Sequence, residues 1–203
     1  MDLLLVISIS YTLGSIPFGL LFTKFFSNVD VRKIGSGNIG ATNVLRTGNK
    51  ILAVTTLIFD VGKGYLSVFI TMVYFPELTQ LSCIIVFLGH IFPIWLKFKG
   101  GKGVATFLGV LIALSIQLSL LFIFTWIVVS LIFRYSSISS MFSTFTVFIV
   151  TVIKDNTLKS IDPNIDIGND LKLILFIFLI LIIFTHRINI FNLKNKSEKK
   201  IRI

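Results

Sequence analysis

Apolar residues run along this chain in long stretches separated by short polar segments rich in glycine and lysine. A membrane-spanning helix needs about 20 largely apolar residues, and the clear candidates are residues 3–22, 51–75, 80–96, 138–153 and 171–185. The stretch 104–133 is harder to place. As one helix rising 1.5 Å per residue it would reach about 45 Å, against a hydrocarbon core of about 30 Å. It reads either as one overlong span or as two short ones.

Composition removes the soluble alternatives. The 203 residues are 55% apolar and 14% charged, with a mean hydropathy of +0.94. Soluble domains are roughly half apolar and a quarter charged. No Pro/Gly/Ser-rich linker or low-complexity tract interrupts the apolar runs, so residues 1–203 read as one polytopic unit ending in a basic tail at 187–203. Asp2 stands where a cleaved leader would carry basic residues, so the first run reads as a retained span. Cys83 is the single cysteine and reads as a buried structural thiol.

The net charge of +10 is a matter of topology rather than of nucleic acid, because the basic residues cluster between apolar runs. A turn near residues 115–119 divides the long stretch and makes seven spans, with the N-terminus outside and the C-terminus inside. The inner segments then hold Lys24, Arg32, Lys33, Arg46 and Lys50, then Lys97, Lys99 and Lys102, then Arg134, then the tail. The outer segments hold Glu77, Asp155, Asp162, Asp166 and Asp170, with only Lys154, Lys159 and Lys172 as basic residues. Six spans would put the basic tail outside, against the positive-inside bias. The expectation is an all-α, polytopic membrane protein of seven transmembrane helices.

Every long polar segment with glycines falls on the inner side, as one active site built from several loops requires. The outer segment 155–170 lacks clustered glycines and reads as a connector. The first inner segment, 34–46, offers Ser36, Thr42, Asn43 and Arg46 as donors, with glycines that let backbone N–H groups approach an anion. Gly37 and Asn38 lie between them. Its Gly35, Gly37 and Gly40 match the dinucleotide fingerprint G-x-G-x-x-G, with Asp60 about 20 residues on. The match is a decoy, because Asp60 sits inside an apolar run and no strand-helix-strand unit surrounds the glycines. In the second segment, Lys99, Gly100, Gly101, Lys102 and Gly103 immediately precede an apolar helix, whose N-terminus suits a phosphate. Gly103 follows Gly-Lys where a Walker A loop needs Ser or Thr. The third runs from Arg134 into a helix that Ser137 or Ser140 caps or from which it donates to a ligand. In the fourth, His186 and Asn189 stand three apart on one helical face. Asp60 and Lys63, costly in a bilayer, are spaced to pair with one another. Two distant histidines make no metal site, and no cofactor motif is present.

Taken together these segments resemble a known family, the bacterial acyl-phosphate:glycerol-3-phosphate acyltransferases of the PlsY type. The resemblance rests on Gly14-Ser15-Ile16-Pro17-Phe18-Gly19, on residues 36–46, on Asp60-Val61-Gly62-Lys63-Gly64, on Gly89-His90-Ile91-Phe92-Pro93 with residues 98–106, and on His186-Arg187-Ile188-Asn189-Ile190. Two departures stand out: Ile39 replaces a common proline, and the tail after Ile190 has less arginine and no glycine before Ser197-Glu198.

The resemblance implies seven helices in a bacterial inner membrane and an active site on the cytoplasmic side. It implies transfer of a fatty acyl group from acyl phosphate to the 1-hydroxyl of glycerol 3-phosphate, with membrane lipid as surroundings. The loops would hold the two anions, and His186, Asn189 and Ser36 are the catalytic candidates. The proton goes either to His186 or to the donor's own phosphate. A transporter of a phosphorylated solute is the rival reading, but it would place polar groups through the midplane of several spans. An acyl-CoA enzyme with a His-x4-Asp pair is excluded, because Trp95 and Phe191 stand where the carboxylate is needed.

Overall fold

The computed structural model describes residues 1–161 and 169–201. Among these residues the regular structure is helical throughout. The first apolar run is not a straight rod. Helix α1 (Asp2–Ser15) stops at Ile16, whose backbone turns extended ahead of Pro17, and α2 (Phe18–Ser27) resumes beyond it. Proline lacks the N–H that would continue the ladder and pushes the preceding residue out of the helical region.

A short helix α3 (Ala41–Leu45) follows in the first polar segment, and α4 (Lys50–Tyr74) begins where Asn49 accepts from the Leu52 N–H at 3.0 Å. Helix α5 (Thr79–Ile91) leads into the second polar segment. The long stretch 104–133 divides as charge required: α6 (Val104–Leu114) ends at Ser115, which is extended, and α7 (Ile116–Phe133) starts immediately after. Helices α8 (Ser136–Ile161) and α9 (Asn169–Thr185) come next. A bend of 55° then leads into α10 (Arg187–Lys194).

Helix α8 continues past the expected end at residue 153, taking Asp155 into the helix, where it pairs with Lys172. The connector read at 155–170 is therefore partly helix. Asp162 and Asp166 lie outside the described residues.

Among the described residues, five helical stretches are long and apolar enough to cross a membrane, or six with α9 and α10 taken as one bent span. Helix α6 is apolar but has only 11 residues, about 16 Å of helix at 1.5 Å each. The described chain divides into two compact units, Met1–Ser115 and Ile116–Ile203.

In the first unit, helices cross backbone against backbone at glycines. A Cβ on Gly14 would stand 2.1 Å from the Val86 carbonyl oxygen, and one on Gly89 would stand 2.6 Å from that of Tyr11, so α1 and α5 touch through their main chains. Gly64 and Gly109 do the same for α4 and α6, at 2.3 Å from the Thr106 oxygen and 2.0 Å from that of Val61. Lipid tails are as apolar as leucine, so close packing and interhelical hydrogen bonds have to supply the attraction. The hydrogen bonds include a buried hydroxyl cluster in which Ser82 lies 2.9 Å from Ser10 and 3.0 Å from Ser67, joining α5 to α1 and α4. Large side chains such as Ile58 and Phe69 point outward. In the second unit, Phe178 and Ile182 of α9 are fully buried, and the Phe148 and Phe176 rings of α8 and α9 lie 5.6 Å apart.

Candidate functional site

The first polar segment is shaped by Asn43. Its side chain is buried, and Nδ2 lies within hydrogen-bonding distance of the carbonyls of Val31 and Ile34 at 2.9 Å and of Asn38 at 2.7 Å. Its Oδ1 accepts from the Ser36 N–H at 3.0 Å. Asn43 was expected to face a ligand. Its amide instead holds the loop together, because an amide has two N–H bonds and two lone pairs and the backbone here engages both ends. Asn38 Oδ1 accepts from the Gly40 N–H at 2.9 Å, closing a local turn. Gly35 and Gly37 adopt positive φ, and the aliphatic part of Arg46 lies over Gly35. Beneath the loop is a small apolar core of Leu20, Val31, Ile39, Val44, Leu52 and Ala53.

Leu96, from the second polar segment, packs against that same core. The second segment is shaped by its glycines. Lys97 and Phe98 turn the chain at positive φ, and it then folds back onto the end of α5. The Gly100 and Gly101 N–H groups donate to the Ile91 and His90 carbonyls, both at 3.1 Å. A Cβ on Gly100 would stand 2.1 Å from the His90 oxygen, one on Gly101 would stand 2.0 Å from His90 Nε2, and one on Gly103 would stand 2.1 Å from the Phe87 ring. This corrects the sequence reading, which took these glycines as exposing N–H groups to an anion. Close packing accounts for them, and two of those N–H groups are already bonded to protein. The leading N–H groups in the first turn of α6 have no intrahelical acceptors.

Between the two segments lies a cleft of about 530 Å³. Arg32, Ser36, Gly37 and Asn38 line one side, and Trp95, Leu96, Lys97, Lys99 and Gly100 line the other. Three cationic side chains line it, Arg32 among them paired with Asp30, while Thr42, Arg46, Lys102 and Gly103 do not line it. Sequence reasoning placed Arg32 and Lys97 among the topological charges and missed them as cleft residues. The signal for Arg32 was Asp30, two residues earlier. Asp30 accepts from Arg32 Nε at 2.9 Å and from its terminal nitrogen at 2.7 Å, which aims the guanidinium. The hydrogen bonds from Arg32 hold the Asp30 carboxyl well below the usual carboxylate range.

The third and fourth segments belong to the second unit and meet each other there. Asn189 donates to Glu198 Oε1, and Ser137 donates to the same oxygen at 3.3 Å. The Ile201 N–H donates to the Arg134 carbonyl at 2.7 Å, so the divergent tail folds onto the third segment. Glu198 was not singled out in the sequence; the hydrogen-bonding capacity of Asn189 alone gave no hint of its partner.

His186 is 2% exposed and sits at the bend between α9 and α10 as the N-cap residue, not inside a continuous helix. Its Nδ1 lies 2.8 Å from the Ile182 carbonyl, which can only accept, so Nδ1 carries the proton and Nε2 has the lone pair in the neutral ring. Ser140 is buried; its hydroxyl donates to the Ser136 carbonyl at 2.8 Å and accepts from Trp126 Nε1 at 3.1 Å. Neither contact caps the helix. Among the described residues, no cluster of three or more His, Cys, Asp or Glu residues is arranged to hold a metal.

Comparison with known proteins gives a consistent picture. The family model described as glycerol-3-phosphate acyltransferase matches residues 4–196. The glycerol-3-phosphate acyltransferase of Pelagibacter ubique (strain HTCC1062) is 46% identical over the full length of both chains. That of Mesorhizobium japonicum is 47% identical over 98% of this chain and 96% of its own. Among solved structures, the glycerol 3-phosphate form of PlsY, an integral membrane glycerol 3-phosphate acyltransferase, superposes with a TM-score of 0.89 at 32% identity, covering 100% of this chain and 96% of that one. The lysophosphatidic acid form of PlsY gives 0.86 at 32% identity, covering 98% and 95%.

Proposed function

This chain belongs to the glycerol-3-phosphate acyltransferase family and is a multi-pass membrane protein of phospholipid biosynthesis, and from that premise we propose that its acyl donor is acyl phosphate. The product is then 1-acylglycerol 3-phosphate, released with inorganic phosphate. The observation that carries this reading is the cleft between the first two polar segments, lined by Lys97, Lys99 and an Arg32 that Asp30 holds in place.

The chemistry asks for little beyond that. An acyl phosphate is a mixed anhydride with a good leaving group, so the protein mainly has to hold two anions together against their repulsion. The 1-hydroxyl oxygen attacks the acyl carbon, the bond to the bridging phosphate oxygen breaks, and inorganic phosphate leaves. Cations at the cleft, with Arg46 and Lys102 nearby in the same two segments, offset the charge of both head groups. The hydroxyl proton passes to His186 Nε2, the lone-pair nitrogen, or to the donor phosphate. Asn189, fixed by Glu198, orients a substrate. No acyl-enzyme on Ser36 is required.

In this reading the chain has seven spans, the N-terminus outside and the active site facing the cytoplasm of a bacterium. Helix α6 is too short to cross alone, and in this reading the segment 97–103 ahead of it completes the crossing.

The test is purified protein in lipid or detergent, supplied with glycerol 3-phosphate and either palmitoyl phosphate or palmitoyl-CoA. Turnover with palmitoyl phosphate alone is expected; turnover only with the CoA ester defeats the donor assignment. Cysteine labelling at Gly37 and Lys99 is expected to place both on the cytoplasmic side.

A further inference from the structure

Asp60 and Lys63 pair across one turn of α4, with Nζ 2.8 Å from Oδ1 and the side chains 3% and 2% exposed. Neutralising two charges inside a bilayer explains that contact. It does not explain two others. Lys63 Nζ also donates to the Ile16 carbonyl at 2.8 Å, at the point where Pro17 interrupts the first span. On the other side of the pair, His90 Nδ1 stands 3.7 Å from Asp60 Oδ1, with the ring 4% exposed. The opposite edge of that ring is the surface on which Gly101 rests.

The break at Ile16 is tied in turn to the first loop. Gly19, just past it, lies so close to the Ile39 carbonyl that a Cβ would stand 1.9 Å from the oxygen. A continuous line of contacts thus runs from Ile39 through Gly19 and the half-buried break, through Lys63, Asp60 and His90, to Gly101. Its two ends are the two segments that form the cationic cleft.

We propose that Asp60, Lys63 and His90 are positioning residues that set the spacing between the two anion-binding segments, an inference that rests on the cleft's role in the proposed function. None of the three touches substrate; each acts through the segment it braces. An anion held between two cationic segments loses charge-assisted contacts when the segments move apart, so their spacing sets the affinity for it. The lysine ammonium is suited to the task, because it bridges a carboxylate and a backbone carbonyl that the proline break leaves outside the regular ladder.

The alternative, that the pair only cancels charge, predicts something different. In the double variant Asp60→Asn/Lys63→Gln both charges vanish at nearly constant volume. Binding of glycerol 3-phosphate to the purified full-length protein is measured by calorimetry, alongside thermal unfolding and steady-state kinetics with palmitoyl phosphate. The expected result is a folded protein whose affinity for glycerol 3-phosphate falls about tenfold, with KM rising in step and kcat changing less. Lys63→Arg, which keeps a cation within reach of both acceptors, is expected to retain most of the affinity. A folded double variant with wild-type affinity overturns the inference. If the double variant does not accumulate as folded protein, His90→Asn alone carries the test, since it leaves both charges in place: the same tenfold fall supports the inference and unchanged affinity overturns it. Absence of glycerol 3-phosphate binding by the wild type overturns the cleft reading and this inference together, whereas binding that the double variant keeps overturns this inference alone.

Discussion

The two segments that face each other across the cleft reach a defined shape by opposite means. Residues 34–46 are organised by one side chain, the Asn43 amide, which gathers the carbonyls of Val31, Ile34 and Asn38. Residues 97–103 are organised by missing side chains, since Gly100, Gly101 and Gly103 let the main chain lie against His90 and Phe87. The first depends on polar satisfaction and the second on space. The same alanine that empties one overfills the other.

The largest effect should therefore come from Asn43→Ala. It leaves the Asn38 carbonyl and the Ser36 N–H without their Asn43 partner, at about 1–3 kcal/mol for an unsatisfied group, while the Val31 and Ile34 carbonyls keep the Ile34 and Gly37 N–H donors, and it releases the loop that carries Ser36 and Asn38. Activity is expected to fall by about 100-fold or more, together with a lower unfolding temperature. Equal rates for variant and wild type would refute the organising role. Gly103→Ala comes next, because its φ of +82° is strained for alanine and the Phe87 ring occupies the Cβ position; a cost of about 2 kcal/mol is expected in thermal unfolding. Gly101→Ala sharpens the contrast. It should leave stability closer to normal while raising KM for glycerol 3-phosphate, since the His90 ring edge displaces the loop.

Smaller again is the effect of removing single charges. Lys97→Ala and Lys99→Ala are each expected to weaken glycerol 3-phosphate binding by a few-fold, more at low salt than at high salt because exposed charges are screened. The smallest effect belongs to Asp30→Asn. The Asp30–Arg32 pair is partly exposed, Arg32 at 43% and Asp30 at 19%, and exposed pairs contribute about 1 kcal/mol or less. Its folded carboxyl is depressed, so that contribution is complete above the ordinary carboxylate pKa of about 3.9 and fades as pH falls toward the folded value. At neutral pH the difference between variant and wild type should be slight in both melting and rate.

The same contrast marks how much was legible in the sequence. Hydropathy and the placement of lysines located the apolar segments and the division at Ser115, because membrane insertion acts on local composition. The break at Ile16 was invisible in hydropathy, which continues unchanged through Pro17. The polar character of the two cleft segments was equally plain, but the division of labour within them was not. A glycine that exposes its N–H and a glycine that permits packing look alike in a string of letters, as do an asparagine that meets ligand and one that meets backbone. The Asp60–Lys63 pair followed from spacing alone, whereas His90 beside it comes from another helix and emerged only from the tertiary arrangement. Glu198 was hidden for the same reason, being nine residues from Asn189 beyond the end of α10.

The glycine crossings of the first unit give this protein an inverted map of mutational tolerance. In a water-soluble domain the bulky interior residues are the vulnerable ones and small surface residues are expendable. Here Ile58 and Phe69 look out onto lipid and tolerate exchange for other oily side chains, while a single methyl added at Gly14, Gly64 or Gly109 pushes whole helices apart. A survey of substitutions along the membrane segments should find its silent positions among the largest residues and its lethal ones among the smallest.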